Sequence, residues 1–172
     1  MKNRKYNISS DRGFTLIEAL IGFMILSIGM LGIASLQAIS LKAGKTSVYG
    51  SVAMMKVEEL FESMRVNPTP AALAEYAASG AGSGTNNNCT GTVVCTPAAL
   101  AQDDIFWWKK NLSAGLPATT TSITYDPANP ATPTKMARVT ISVNWDERDK
   151  TAGGSVSRTY TTTANICTGV PC

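Results

Sequence analysis

From Ala19 to Leu41 the chain runs for 23 consecutive residues without a charged side chain, and from Phe14 to Leu41 the only charge is Glu18. In a helix rising ~1.5 Å per residue this stretch covers roughly 35 Å, enough for the ~30 Å hydrocarbon core of a bilayer. A secretory signal peptide would need a shorter apolar core followed by small residues at a cleavage site. Here Leu41-Lys42-Ala43-Gly44-Lys45 leads on into a helical pattern instead. Lys2, Arg4, Lys5 and Arg12 precede the span against Asp11 alone, so the positive-inside bias keeps residues 1 to 13 cytoplasmic and sends the C-terminal bulk outward.

The composition narrows the chemistry. None of the 172 residues is a histidine, which excludes Ser-His-Asp triads, Cys-His dyads and His-ligated zinc. The formal charge of +3 resides in residues 1 to 13; the remainder is balanced between acidic and basic side chains. A nucleic-acid binder needs a basic face to displace counterions, and this remainder has no surplus to supply one.

Glu18 sits one turn inside the apolar segment, where an ionised side chain costs up to ~3 kcal/mol and calls for a partner. The surrounding Arg12-Gly13-Phe14-Thr15-Leu16-Ile17-Glu18 resembles the type IV prepilin signal: a basic leader, a glycine, an aromatic or apolar first mature residue, and glutamate as the fifth mature residue. The resemblance implies that a prepilin peptidase cuts after Gly13 and that Phe14 becomes an N-methylated terminus. It also implies that Glu18 neutralises such an α-amine, commonly on a neighbouring subunit, during assembly. A glycine before the cut lets the backbone lie close against a protease cleft. Gly22, Gly29 and Gly32, with Ser27, Ser35 and Gln37, favour a helix that packs closely on other helices, and the glycines equally suit a helix that stretches as a subunit leaves the bilayer for a filament.

Beyond Leu41 the pattern becomes amphipathic, with Val57, Leu60, Phe61 and Met64 on one stripe and Val48, Val52 and Met55 leading into it. Asn67-Pro68 ends the helix. Residues 77 to 95 read as a Gly/Ser/Asn loop. Thr96-Pro97 caps a second helix to about Leu112, with Ala101, Ile105, Trp108 and Leu112 on one face. Adjacent Asp103 and Asp104 do not converge as an acid/base pair and read as solvated helix charge. Trp107 and Trp108 read as core and boundary residues and not as a ligand platform.

Met136 to Trp145 alternates as a strand, Asp146 to Gly154 reads as a polar turn, and Ser155 to Ile166 returns as the partner strand. Thr119 to Tyr125 adds another strand, followed by a loop at Pro127, Pro130 and Pro133. The fold class is α+β: a long N-terminal helix, membrane-spanning in its first half, packed through its second half on a small antiparallel sheet with an extra helix. Its segments are a leader (1–13), a transmembrane and assembly half-helix (14–41), an amphipathic half-helix (42–66) and a periplasmic domain (67–172). The even set Cys89, Cys95, Cys167 and Cys172 favours disulfides over zinc. Of three pairings the local one, Cys89 with Cys95 and Cys167 with Cys172, is preferred.

Further stretches resemble the type IV pilus modification family called PilV: the Phe14-to-Gln37 helix, Arg65-x-Asn67-Pro68, Cys95-Thr96-Pro97 with Asp103 and Trp108, and Val143-x-Trp145-x-Glu147. This implies a minor pilin, without cofactor or metal, that helps initiate pilus assembly. Its partners would be other minor pilins, the major pilin, prepilin peptidase and the inner membrane, from which it enters the pilus. A type II secretion pseudopilin shares the N-terminal architecture. A membrane-anchored periplasmic enzyme would need convergent nucleophile and base residues, which the sequence does not offer.

Overall fold

The computed structural model describes residues 13–127, 135–149, 153–169 and 172. The basic leader residues and the expected loop at Pro130 and Pro133 lie outside the described residues. The chain divides into two compact units, Met1–Gly44 and Lys45–Cys172. Helix α1 (Leu16–Val66) contributes to both.

In the second unit, Ala53, Val57, Leu60, Phe61 and Met64 of α1 are buried on one face. Val48 and Met55, expected to lead into that stripe, are instead 58% and 62% exposed. At ~100° per residue both lie about half a turn from Val57, so they point to the opposite side of the helix. The helix stops before Asn67-Pro68, and the Asn67 side chain donates to the Pro97 carbonyl at 2.8 Å.

Helix α2 (Pro70–Gly80) lies where the sequence pattern predicts no helix. It starts by the same device as α3 (Pro97–Gly115): a threonine cap, Thr69 or Thr96, accepts from the backbone N–H three residues on, and proline occupies the first helical position. There are therefore two extra helices, and the loop expected from residue 77 begins only at Ala81. Ala72, Leu73, Tyr76 and Gly80 fall on one face of α2 and are buried. Gly80 is where β1 (Thr120–Asp126) comes closest, since an added Cβ would stand 2.6 Å from Ile123 Cβ.

Strands β1, β2 (Met136–Asp149) and β3 (Gly154–Cys167) form an antiparallel sheet in the order β1-β2-β3. The pairing of β2 and β3 is continuous from Met136↔Cys167 to Asp149↔Gly154. Asp146 to Asp149, expected in a turn, thus belong to the strand. Within it Glu147 accepts from Thr46 at 2.9 Å and from Trp145 Nε1 at 3.0 Å. The inward row Val139, Ile141, Val143 and Trp145 is buried, as the alternation predicts. It packs with the α1 stripe and with Ile105, Trp108 and Leu112 of α3 in one core. Trp108 Nε1 donates to the Lys56 carbonyl at 2.6 Å, satisfying the indole N–H inside that core.

Asp103 and Asp104 are not solvated helix charges. Asp103 is 5% exposed and accepts from Asn87 N at 2.7 Å. Asn87 also donates through its side chain to the Ala99 carbonyl at 2.8 Å, which straps the 81–96 loop onto α3. Asp104 accepts from the Tyr76 hydroxyl and so ties α3 to α2. Burial raises the Asp104 pKa above the ordinary carboxylate value, while the Tyr76 bond pulls it the other way. Burial, and then Asp104 itself, pushes the Tyr76 hydroxyl up, so it remains protonated as the donor.

Tyr76→Phe keeps the packing but removes that donor, and the Asp104 pKa should rise further. A carboxylate with a raised folded pKa is tolerated best when protonated, so the variant should match wild type most closely below about pH 4 and fall behind as pH rises through the raised value. At pH 7 the loss should be about 1 kcal/mol, read from urea midpoints of the full chain in detergent. Equal losses at both pH values would contradict this account.

A second expectation concerns Gly84, which has φ +67°, and where a Cβ would meet Phe106 N at 2.5 Å and Gln102 O at 2.6 Å. Gly91 has φ +63° but open space around it. Gly91→Ala should therefore cost only the ~1–2 kcal/mol of left-handed strain, and Gly84→Ala clearly more, because backbone has to move. Equal midpoint shifts would show that the loop does not lie on α3 as described.

Candidate assembly site

Among its described residues the first unit is one segment of helix with an exposed apolar surface. Phe14 is 83% exposed, and every large apolar residue from Leu16 to Leu41 is at least 53% exposed. Its length and composition suffice to cross a membrane, and its most apolar window has no buried share. Added Cβ atoms at Gly22, Gly29 and Gly32 would meet no atom within 4 Å, so nothing in this unit itself requires glycine there. Ser27 and Ser35 return their hydroxyls to the carbonyls of Phe23 and Leu31 at 2.7 and 3.0 Å. A hydroxyl bonded within its own helix can sit in hydrocarbon without an unsatisfied donor.

Glu18 lies in the first turn of α1. Thr15 precedes the helix as its cap: its carbonyl accepts from Ala19 N at 3.2 Å and its hydroxyl from Glu18 N at 3.4 Å. Thr15-Leu16-Ile17-Glu18 therefore matches the pattern in which a capping threonine is followed three residues later by glutamate, a signal the sequence reading did not use. The exposed N–H groups of a helix start carry partial positive charge, which favours Glu18 in that turn and disfavours a cation just before it. An α-amine at Phe14 would stand at that unfavourable end, inside an apolar span, so it has strong reason to find a carboxylate.

In the second unit the structure joins Cys89 to Cys95 and Cys167 to Cys172. The first bridge closes the loop just before the Thr96 cap, and the second ties the end of β3 to residue 172. The perturbed groups of this unit serve packing. Tyr76 and Asp104 hold each other, and Lys109, its pKa lowered by burial, donates to the Gly82 carbonyl. Gly13, Phe14 and Glu18 lie together at the start of α1, whereas the four cysteines belong to the other unit. Among the described residues no group of acidic and cysteine side chains is arranged to hold a metal ion.

Residues 8–34 match the prokaryotic N-terminal methylation motif. Residues 35–106 match a family described as type IV pilin Tt1218, a span that takes in most of α1, all of α2 and the first half of α3. No curated protein and no solved structure matches the chain. The two family matches abut and, with a long helix that precedes a small three-stranded sheet, support a member of the type IV pilin superfamily, whose members are structural proteins and not enzymes.

Proposed function

We propose that this pilin is a minor subunit, related to the PilV branch, that helps initiate type IV pili. The observation that carries this reading is the apolar face of residues 14 to 41, exposed all round in the single chain and headed by Glu18 on a capped helix start. Leader hydrolysis between Gly13 and Phe14 leaves a new α-amine at Phe14 on the cytoplasmic side, and methylation follows there. The span holds the subunit in the inner membrane with residues 67 to 172 in the periplasm, until helix packing replaces lipid. Glu18 then pairs with the α-amine of a neighbouring subunit, which removes both charges from apolar surroundings at once. The neighbours are other minor pilins and, as the fibre grows, the major pilin.

Three outcomes are expected. Mass spectrometry of assembled material should find a mature chain starting at methylated Phe14; an intact Met1 terminus would refute processing. Glu18→Ala should leave membrane insertion unchanged and lower incorporation into filaments at least ~10-fold, the effect of an unpaired buried charge worth more than ~1.4 kcal/mol. Normal incorporation would refute the pairing. Deleting the gene should sharply reduce surface pili while the major pilin still accumulates in the inner membrane. Normal piliation would reject the initiation role, and a secretion defect with normal pili would assign the chain to a type II secretion machine.

A further inference from the structure

Helix α3 carries a second stripe beside the one it buries. Phe106, Lys109, Lys110 and Ser113 recur at i, i+3, i+4 and i+7, so they lie along one side of the helix. That side is one wall of a groove of about 420 Å³, which the buried Leu112 also lines. The segment 81–83 just past α2 forms a second wall, and Thr119 and Thr120, at the start of β1, a third. All of it belongs to the Lys45–Cys172 unit. Its size falls within the ~300–1,000 Å³ of small-molecule sites.

The groove is lined by two cations and no acidic side chain. Lys109 is half-buried, and burial lowers its pKa, because the ammonium has lost water without gaining a countercharge. Its bond to the Gly82 carbonyl uses one of three N–H donors and neutralises nothing. Lys110 lies 4.6 Å from the centroid of the Trp107 ring. Among the described residues neither lysine is paired with a carboxylate. The two acids of α3 are engaged elsewhere, Asp103 by the Asn87 N–H and Asp104 by the Tyr76 hydroxyl.

The remaining polar groups are neutral hydroxyls, those of Ser83, Ser113, Thr119 and Thr120. The residue before Thr119 is Ala118, held left-handed at φ +47°, a conformation that costs an ordinary residue ~1–2 kcal/mol. Strain of this kind is retained where the surrounding structure fixes it, and here it falls in the turn that leads into a wall of the groove. A pair of cations alone would accept any anion. Hydroxyls that both donate and accept, beside the Phe106 ring, favour an anion that itself carries hydroxyl groups around an apolar face.

We propose that this groove binds an acidic sugar residue of a saccharide chain, with its carboxylate at the Lys109 and Lys110 ammonium groups, its ring against Phe106 and its hydroxyls on the serines and threonines. The inference rests on the pilin reading in one respect: export of the unit places the groove where such saccharides are met. A ligand carboxylate supplies the countercharge that Lys109 lacks, and it leaves the Gly82 bond in place.

The test uses the full chain in detergent at low salt, titrated in a calorimeter with trigalacturonate, with galactotriose and with inorganic phosphate. Galactotriose presents the same ring with a hydroxymethyl group in place of the carboxylate. Trigalacturonate should bind, and galactotriose at least ~10-fold more weakly, as expected for loss of a charge-assisted contact. Lys109→Gln should weaken trigalacturonate binding by a similar factor. Lys110→Gln, at an exposed position, should weaken it several-fold with an unchanged urea midpoint, which separates loss of ligand from loss of fold. Lys45→Gln, away from the groove, should have no effect. Absence of trigalacturonate binding, equal binding of the two trisaccharides, or equal losses in Lys45→Gln and Lys110→Gln would each overturn the proposal. Phosphate binding as tight as trigalacturonate would also overturn it and make the groove a site for an adventitious ion only. Because binding is read on the purified chain, its failure leaves the assembly role standing, whereas normal piliation in the deletion strain would reject that role and leave the binding result intact.

Discussion

The rest of the structure depends on a length of helix that cannot remain in water. Sixteen large apolar side chains between Phe14 and Leu41 are more than half exposed in the single chain. At ~1.5–3 kcal/mol for burying each, the free energy of covering them is on the order of 20 kcal/mol or more, which exceeds the ~5–15 kcal/mol that holds a typical domain together. No local adjustment offsets a term of that size. The segment has to be in lipid or against other helices, and a pilin of this kind occupies first one environment and then the other.

This requirement explains how polarity is distributed within the span. Ser27 and Ser35 bond their own helix and ask nothing of the surroundings, so lipid and protein suit them equally. The glycines leave open surface on the helix, where another backbone can approach closely. Glu18 is the exception, because no bond within the helix neutralises its carboxylate. A charge tolerated near an interface but costly deeper in favours one arrangement of subunits over others, which is how a polar group inside an apolar bundle specifies register.

The second unit meets the opposite demand and has to be complete in itself. Its core takes one stripe from α1, closes it with α2, α3 and the inward row of β2, and anchors the loop through Asn87 and Asp103. Much of this was legible in the chain. Period-two alternation placed Val139, Ile141 and Val143 inward, and the Thr96-Pro97 cap placed α3. Helix α2 carries the same signal at Thr69-Pro70, but it follows directly on Asn67-Pro68, where the sequence already ends one helix, and periodicity marks no second start there. Asp103 was misread because its partner, the Asn87 backbone, arrives from a loop 16 residues away, and no local pattern announces such a bond. Val48 and Met55 were misassigned for a related reason: both faces of α1 are apolar at that level, so periodicity alone could not choose which one the domain would bury.

The central claim is that residues 14 to 41 exchange lipid for helix contacts without ever facing water. Single cysteines at Leu20, Ile28 and Leu36, with Val48→Cys as a comparison, can be probed in intact membranes and in assembled filaments with a membrane-impermeant maleimide. The account predicts that positions 20, 28 and 36 stay unlabelled in both states while position 48 reacts in membranes from which no filament has been assembled. Labelling at Ile28→Cys in either state would contradict it.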